Sequence, residues 1–140
     1  MKKHSIQSFY LTLVKASPGR KFLISFIIGL LSTLSLPPIY FFIIFFFTIP
    51  TLIWLLEKIK DFRTSFFIGW FFGVGYFLGG LYWIFYAFLV DADKFAWLAP
   101  FAVLALSSLL SVFIGLTTSL FSKFHLSGLN KAFVFSALWV

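Results

Sequence analysis

Charged residues fall in short groups separated by long apolar runs, and the runs predict helices. From Phe22 to Leu56 there is no charge, a stretch of ~35 residues where ~20 suffice to cross the hydrocarbon of a bilayer. Pro37-Pro38 divides it, because proline lacks the N–H and biases its predecessor away from helix. The division predicts one helix over about 22–36 and a second over about 39–56, joined by a tight turn, with Pro50 kinking the second. Glu57 to Arg63 is a charged loop, in which Glu57 with Lys60, or Asp61 with Lys58, makes an ordinary solvated pair. A third span follows over about 65–90, then a polar turn from Asp91 to Lys94. The fourth runs over about 95–121 with Pro100 in its first turn, and Ser122 to Asn130 is a further polar loop.

The last apolar run, Ala132 to Val140, predicts a partial fifth helix over about 129–140. Its ~12 residues reach about 18 Å, against a hydrocarbon thickness of about 30 Å. A terminal carboxylate would then lie inside the membrane, at a cost of roughly 2.5–3.5 kcal/mol. The expectation is therefore a truncated chain, the front part of something longer. A cleavable signal peptide, with Thr33 and Ser35 near the cut, is the competing reading of the first span. The long basic lead-in and the apolar sequence beyond the prolines count against it.

Composition sharpens this pattern. The 140 residues are 61% hydrophobic and only 11% charged, where soluble domains carry about 25% charged residues. A water-soluble globule is excluded. A formal charge of +7 raises the question of nucleic acid, but the basic residues form short clusters between apolar spans, with no basic face interleaved with aromatics. No nucleic-acid partner is expected. If the N-terminus is cytoplasmic, Lys2, Lys3, Lys15, Arg20, Lys21, Lys58, Lys60, Arg63, Lys123 and Lys131 share that side, and only Lys94 falls outside. That asymmetry is what the positive-inside rule demands. The organisation expected is a basic cytoplasmic segment over 1–21 and a transmembrane helical module over 22–140: all-α, polytopic, four crossings and a truncated fifth.

Candidate chemistry is sparse. There is no cysteine, so this chain holds no disulfide, Cys-ligated metal or thiol nucleophile. The 23 phenylalanines read as lipid-facing bulk, and several of the five tryptophans and five tyrosines fall near span boundaries. Glu57, Asp61, Asp91 and Asp93 lie at span edges, whereas ion pathways need ionisable groups within the spans. His4 and His125 sit in cytoplasmic segments, so no metal site, haem or other cofactor is expected. Ser107, Ser111, Gly115 and Ser119 make an i, i+4 stripe of small residues. It reads as helix packing, because no His or carboxylate lies nearby in sequence to activate a serine.

The run Gly69 to Trp83 is the most specific feature, with five glycines inside an uncharged span. Glycine costs roughly 1 kcal/mol against alanine in a soluble helix, yet in a bilayer it lets neighbouring helices approach closely. At 100° per residue Gly69, Gly73 and Gly80 share one face, and Gly75 and Gly79 lie on another roughly 120° around. Two close-approach faces predict a helix wedged between two neighbours. A slot for a lipid tail along this face is the lesser alternative to pure packing.

This run also resembles the third helix of bacterial apolipoprotein N-acyltransferases, which has the form G-x-x-[FW]-G-x-G-x-F-x-x-G-x-x-W. Gly69, Phe72, Gly73, Gly75, Phe77, Gly80 and Trp83 fit it, and Gly79 lies within the same run. The preceding hairpin is similar too: Gly29, then Leu34-Ser35-Leu36-Pro37-Pro38, matches a small-residue helix running into L-[AS]-x-P-P. Pro100 to Leu120 and Ala137-Leu138-Trp139 resemble the family's fourth helix and the start of its fifth. The resemblance implies a multi-pass protein of the bacterial inner membrane in lipoprotein maturation. Such enzymes transfer an acyl chain from a phospholipid to the N-terminus of an apolipoprotein. They act through a thioester on a cysteine, with Glu and Lys as partners, in a nitrilase-like domain outside the membrane. That domain is absent from these residues, so no catalytic position carries over. The resemblance implies membrane lipids as partners, an apolipoprotein only if the missing domain is supplied, and no activity of this chain alone. Gly69, Phe72, Gly73, Gly75, Phe77, Gly79, Gly80, Trp83, Pro37 and Pro38 are the helix-packing and motif residues expected to matter. The rival reading is a small, non-enzymatic integral membrane protein that associates through its glycine faces.

Overall fold

The computed structural model describes Leu11 and residues 16–37, 39–57, 59–88 and 96–123. Pro38, Lys2, Lys3, Lys15, Lys58, Lys94, Lys131, His4, His125, Asp91, Asp93 and the partial helix expected over 129–140 lie outside the described residues. Among the described residues every regular element is helical: α1 (Pro18–Ser32), α2 (Phe45–Leu56), α3 (Phe62–Gly80), α4 (Tyr82–Phe88) and α5 (Ala99–Lys123). Short 3₁₀ turns at Thr33–Ser35 and Phe42–Ile44 close α1 and open α2.

Local chemistry explains most boundaries. Pro18 opens α1, where its missing N–H is no loss. The serines at the far end tighten it into the 3₁₀ turn: Ser32 Oγ donates to the Ile28 carbonyl at 2.8 Å and Ser35 Oγ to that of Ser32 at 2.7 Å. The chain then reverses, with Tyr40 at φ 53° and the Phe41 N–H donating to the Leu34 carbonyl at 3.0 Å. Pro50 lies inside α2, which continues through it. α3 starts at Phe62, three residues before the expected 65, because Asp61 caps it. The Asp61 carboxylate accepts from the Thr64 N–H at 2.9 Å and from the Thr64 hydroxyl at 2.7 Å. Those two bonds hold the Asp61 carboxyl below its usual pKa of 3.8.

The third span departs from expectation. A single helix over 65–90 was predicted, but α3 ends at Gly80 and α4 leaves it at 52°. Two glycines in succession weaken the helix there, and Leu81 at φ −98°, ψ 12° breaks it.

α3 is the central element, lying between α1 and α5, while α2 returns along α1. α1 runs parallel to α3: Ser25 meets Ile68 and Thr33 meets Gly79. α5 runs antiparallel to it, with Ser111 against Gly73 and Ser119 against Phe62. One end of the bundle thus gathers Lys21, Leu55, Phe62 and Ser119, and the other gathers Leu36, Gly80, Tyr82 and Pro100. The core is made by Ile28, Leu52, Leu55, Leu56, Ile68, Phe72, Ile114 and Phe121. The outer faces remain apolar: Phe46, Phe101 and Phe113 are 80%, 62% and 67% exposed, an arrangement water does not favour but lipid does. Ala99–Ser122 is long and apolar enough to cross a membrane, and α3 with α4 forms a second candidate if the bent pair is one span.

Candidate functional site

The glycines of α3 set how closely its neighbours approach. A Cβ added at Gly69 would run into the Thr118 side chain. One at Gly73 would lie 2.7 Å from Ser111 Oγ, 2.8 Å from its Cβ and 3.0 Å from its Cα. Both positions face α5. Gly75 faces α1, where an added Cβ would meet the Phe26 carbonyl, and at Gly79 it would come 2.5 Å from the Thr33 methyl. Gly80 departs from the helical-wheel assignment: its nearest neighbour is Leu36 Cδ1 at 2.9 Å, on the α1 side with Gly79. Its expected partner is missing because a cleft separates the end of α3 from the start of α5. Phe72 is 1% exposed in the core, with its backbone against Gly29 of α1, and Phe77 packs against the same cluster.

Close approach brings hydroxyls within reach of the neighbouring backbone. Thr118 Oγ1 donates between helices to the Ser65 carbonyl at 3.0 Å and is also 2.9 Å from that of Gly115. Ser25 Oγ reaches the Ile68 carbonyl at 2.5 Å, and Trp70 Nε1 that of Ser108 at 3.0 Å. The predicted stripe Ser107, Ser111, Gly115 and Ser119 lies along this contact with α3, fully buried at its three serines. Ser111 and Ser119 return their hydroxyls to the carbonyls four residues back, those of Ser107 and Gly115. Hydroxyls so engaged are poor nucleophiles, and small volume explains serine at the seam. Sequence reasoning passed over Ser25 and Thr118. Yet Ser25, Gly29 and Thr33 repeat the i, i+4 spacing of small residues that picked out α5.

At the basic end, Lys21 is 6% exposed and its Nζ lies 3.4 Å from the Leu55 carbonyl in the last turn of α2. A cation there complements the helix dipole, while burial lowers the Lys21 pKa from its ordinary 10.5.

At the other end, two blocks far apart in sequence meet. Thr33, Leu34, Leu36, Pro37 and Ile39 line one side of a cleft of about 560 Å³, and Gly79, Gly80, Tyr82 and Trp83 line the other. Four of the expected motif residues, Pro37, Gly79, Gly80 and Trp83, are therefore brought together, whereas Gly69 and Gly73 lie further down α3 against α5. A second cleft of about 460 Å³ opens between α3–α4 and α5, lined by Leu78, Tyr82, Phe85, Tyr86, Pro100, Val103 and Leu104. Tyr82 borders both. Among the described residues both linings lack carboxylate, histidine and lysine, and they suit an apolar occupant.

The sequence pattern of the apolipoprotein N-acyltransferase N-terminal domain matches residues 28–140, which include both motif blocks. The chain belongs to this family. Among curated members it is 37% identical over 129 residues to the apolipoprotein N-acyltransferase of Allorhizobium ampelinum, covering 86% of this chain and 24% of that protein. It is 41% identical over 102 residues to that of Rhodopseudomonas palustris, covering 69% of this chain and 19% of the relative. The Brucella melitensis enzyme is 35% identical over 126 residues, or 84% of this chain and 24% of its own length. The chain thus spans about a quarter or less of the length of the N-acyltransferases it matches. No solved structure matches it.

Proposed function

We propose that this chain is the membrane module of an apolipoprotein N-acyltransferase, anchoring and orienting an acyl-transfer domain in the bacterial inner membrane. The observation that carries this reading is the match of residues 28–140 to the family's N-terminal domain. The module crosses the bilayer four times from a cytoplasmic N-terminus, with a further crossing beginning near residue 129. Supporting this, Lys21 lies at the same end of the bundle as Lys60 of the α2–α3 loop and Arg63 in the first turn of α3, as the positive-inside rule requires. α5, at about 37 Å, exceeds the hydrocarbon thickness of about 30 Å. α1 with its 3₁₀ turn and the bent α3–α4 pair come close to it.

On this reading Gly69, Gly73, Gly75 and Gly79 hold α3 between its neighbours, and Phe72 and Phe77 fill the space beside them. Pro37, Gly80 and Trp83 shape the extracytoplasmic mouth, where aromatic rings are favoured. The chemistry belongs to other residues, because a thioester mechanism needs a cysteine and these 140 residues have none. Phospholipid as acyl donor and apolipoprotein as acceptor follow for the complete enzyme only.

A chimera tests the proposal. The first quarter of the Rhizobium etli enzyme, which is 37% identical to this chain over 112 residues, is replaced by this chain. Acylation of a diacylglyceryl peptide from labelled phospholipid is then measured in vesicles, beside the 140-residue chain alone. The chimera is expected to be active and the lone chain inactive. A membrane-inserted, full-length chimera without activity, or acyl transfer by the lone chain, overturns the reading.

A further inference from the structure

We propose that α4 is a hinged flap that swings about Gly79–Leu81, with Tyr82 dividing two clefts so that one narrows as the other widens. Three independent observations converge on this segment. The helix axis turns by 52° between α3 and α4, at a residue that follows two glycines. Such positions absorb backbone rotation at little steric cost. None of the α4 residues is buried: Tyr82, Trp83 and Tyr86 are 51%, 59% and 64% exposed. A segment with so little packing belongs to the low-stability end of a fold. Finally, there is space to move on both sides. The cleft of about 560 Å³ lies towards Leu36 and Pro37, and that of about 460 Å³ lies towards Pro100 and Leu104.

The hinge itself stays attached through a rigid base. The Leu81 N–H keeps its bond to the Phe77 carbonyl at 2.8 Å, and Gly79 is pinned against Thr33 of the α1 end. Rotation is therefore confined to the few bonds after Gly79. The short helix moves as a unit, carrying the Tyr82–Tyr86 pair, whose rings meet edge to face at 6.4 Å. This inference stands on the geometry of α4 and its clefts, independently of any acyl-transfer role.

The absence of cysteine makes the test direct. In the 140-residue chain, reconstituted in phosphatidylethanolamine–phosphatidylglycerol vesicles, spin labels are placed at Ala87→Cys on α4 and Leu109→Cys on α5. A second pair, Leu30→Cys with Leu109→Cys, reports the bundle alone. Two distance populations are expected for the first pair and one for the second. Gly80→Ala favours helix at the hinge and meets only the flexible end of Leu36, so it is expected to reduce the minor population about five-fold while leaving the bundle distance unchanged. A single α4–α5 distance, unaltered by Gly80→Ala, refutes the flap. So does a second population in the bundle pair, which assigns the motion to the whole molecule.

Discussion

The same substitution at two glycines of α3 is predicted to have opposite consequences. At Gly73 a methyl group would lie 2.8 Å from Ser111 Cβ and 3.0 Å from Ser111 Cα. Ordinary carbon contacts begin near 3.4 Å, so α3 and α5 must separate by about 0.5 Å. The hydroxyl of Ser111 can rotate away, but its Cα cannot. Overpacking of this kind costs about 1–3 kcal/mol, and the separation also strains the Thr118–Ser65 bond about two turns along the seam. Gly73→Leu adds three further heavy atoms at the same place and is expected to dismantle the α3–α5 contact. At Gly80 the added methyl meets only Leu36 Cδ1 at 2.9 Å, which can turn aside, and the gain in helix propensity of up to about 1 kcal/mol offsets what remains. Phe45→Leu, at a half-buried ring 6.5 Å from that of Tyr76, costs less than about 1.5 kcal/mol. Titration of SDS into mixed micelles, followed by tryptophan fluorescence, gives the unfolding midpoint of each variant. The expected order is Gly80→Ala at or above the parent, Phe45→Leu slightly below, then Gly73→Ala, with Gly73→Leu unfolded throughout. A Gly73→Ala midpoint equal to the parent's, or a Gly80→Ala midpoint equally depressed, refutes the close-approach argument.

Other outcomes follow from the polar contacts. Thr118→Val keeps the shape of the side chain and removes its bonds to Ser65 and Gly115, so the same titration should show a loss of about 0.6–1.7 kcal/mol. Asp61→Ala should fray the start of α3, seen as faster hydrogen exchange at Thr64 and Ser65. Because the folded pKa of Asp61 lies below 3.8, its contribution is present above the unfolded value and lost as pH falls through the folded one. Parent and Asp61→Ala should therefore converge in strong acid and differ at neutral pH. Lys21 has a slope of the same sign in the alkaline range: its folded pKa lies below 10.5, so the unfolded chain binds more protons between the two values and stability rises with pH there. Lys21→Met should flatten that rise.

Much of this architecture was legible in the chain. Charge-free stretches and the Pro37-Pro38 break located the helices because, in an apolar chain, charges and prolines are the features that cannot be accommodated just anywhere. The two-faced glycine reading of α3 anticipated neighbours on both sides, and α1 and α5 lie there. It erred at Gly80, since wheel geometry assumes that a neighbour follows the helix for its whole length, whereas α5 diverges at the cleft. The bend at Leu81 was hidden for a related reason: Gly79 and Gly80 permit both close packing and a break, and hydrophobicity is uniform across both outcomes. The capping role of Asp61 escaped notice because its charge draws attention away from the geometry it makes with Thr64. Convergence of Pro37 with Trp83 on one cleft was beyond reach from spacing alone, because it depends on the parallel register of α1 and α3.

Cysteine accessibility in intact cells tests the membrane arrangement most directly. Lys60→Cys in the α2–α3 loop and Ala96→Cys before α5 are introduced singly into the cysteine-free chain and exposed to a membrane-impermeant maleimide. The account predicts labelling of Ala96→Cys from outside and of Lys60→Cys only after the inner membrane is opened. Labelling of Lys60→Cys in intact cells, or of both positions from the same side, contradicts it.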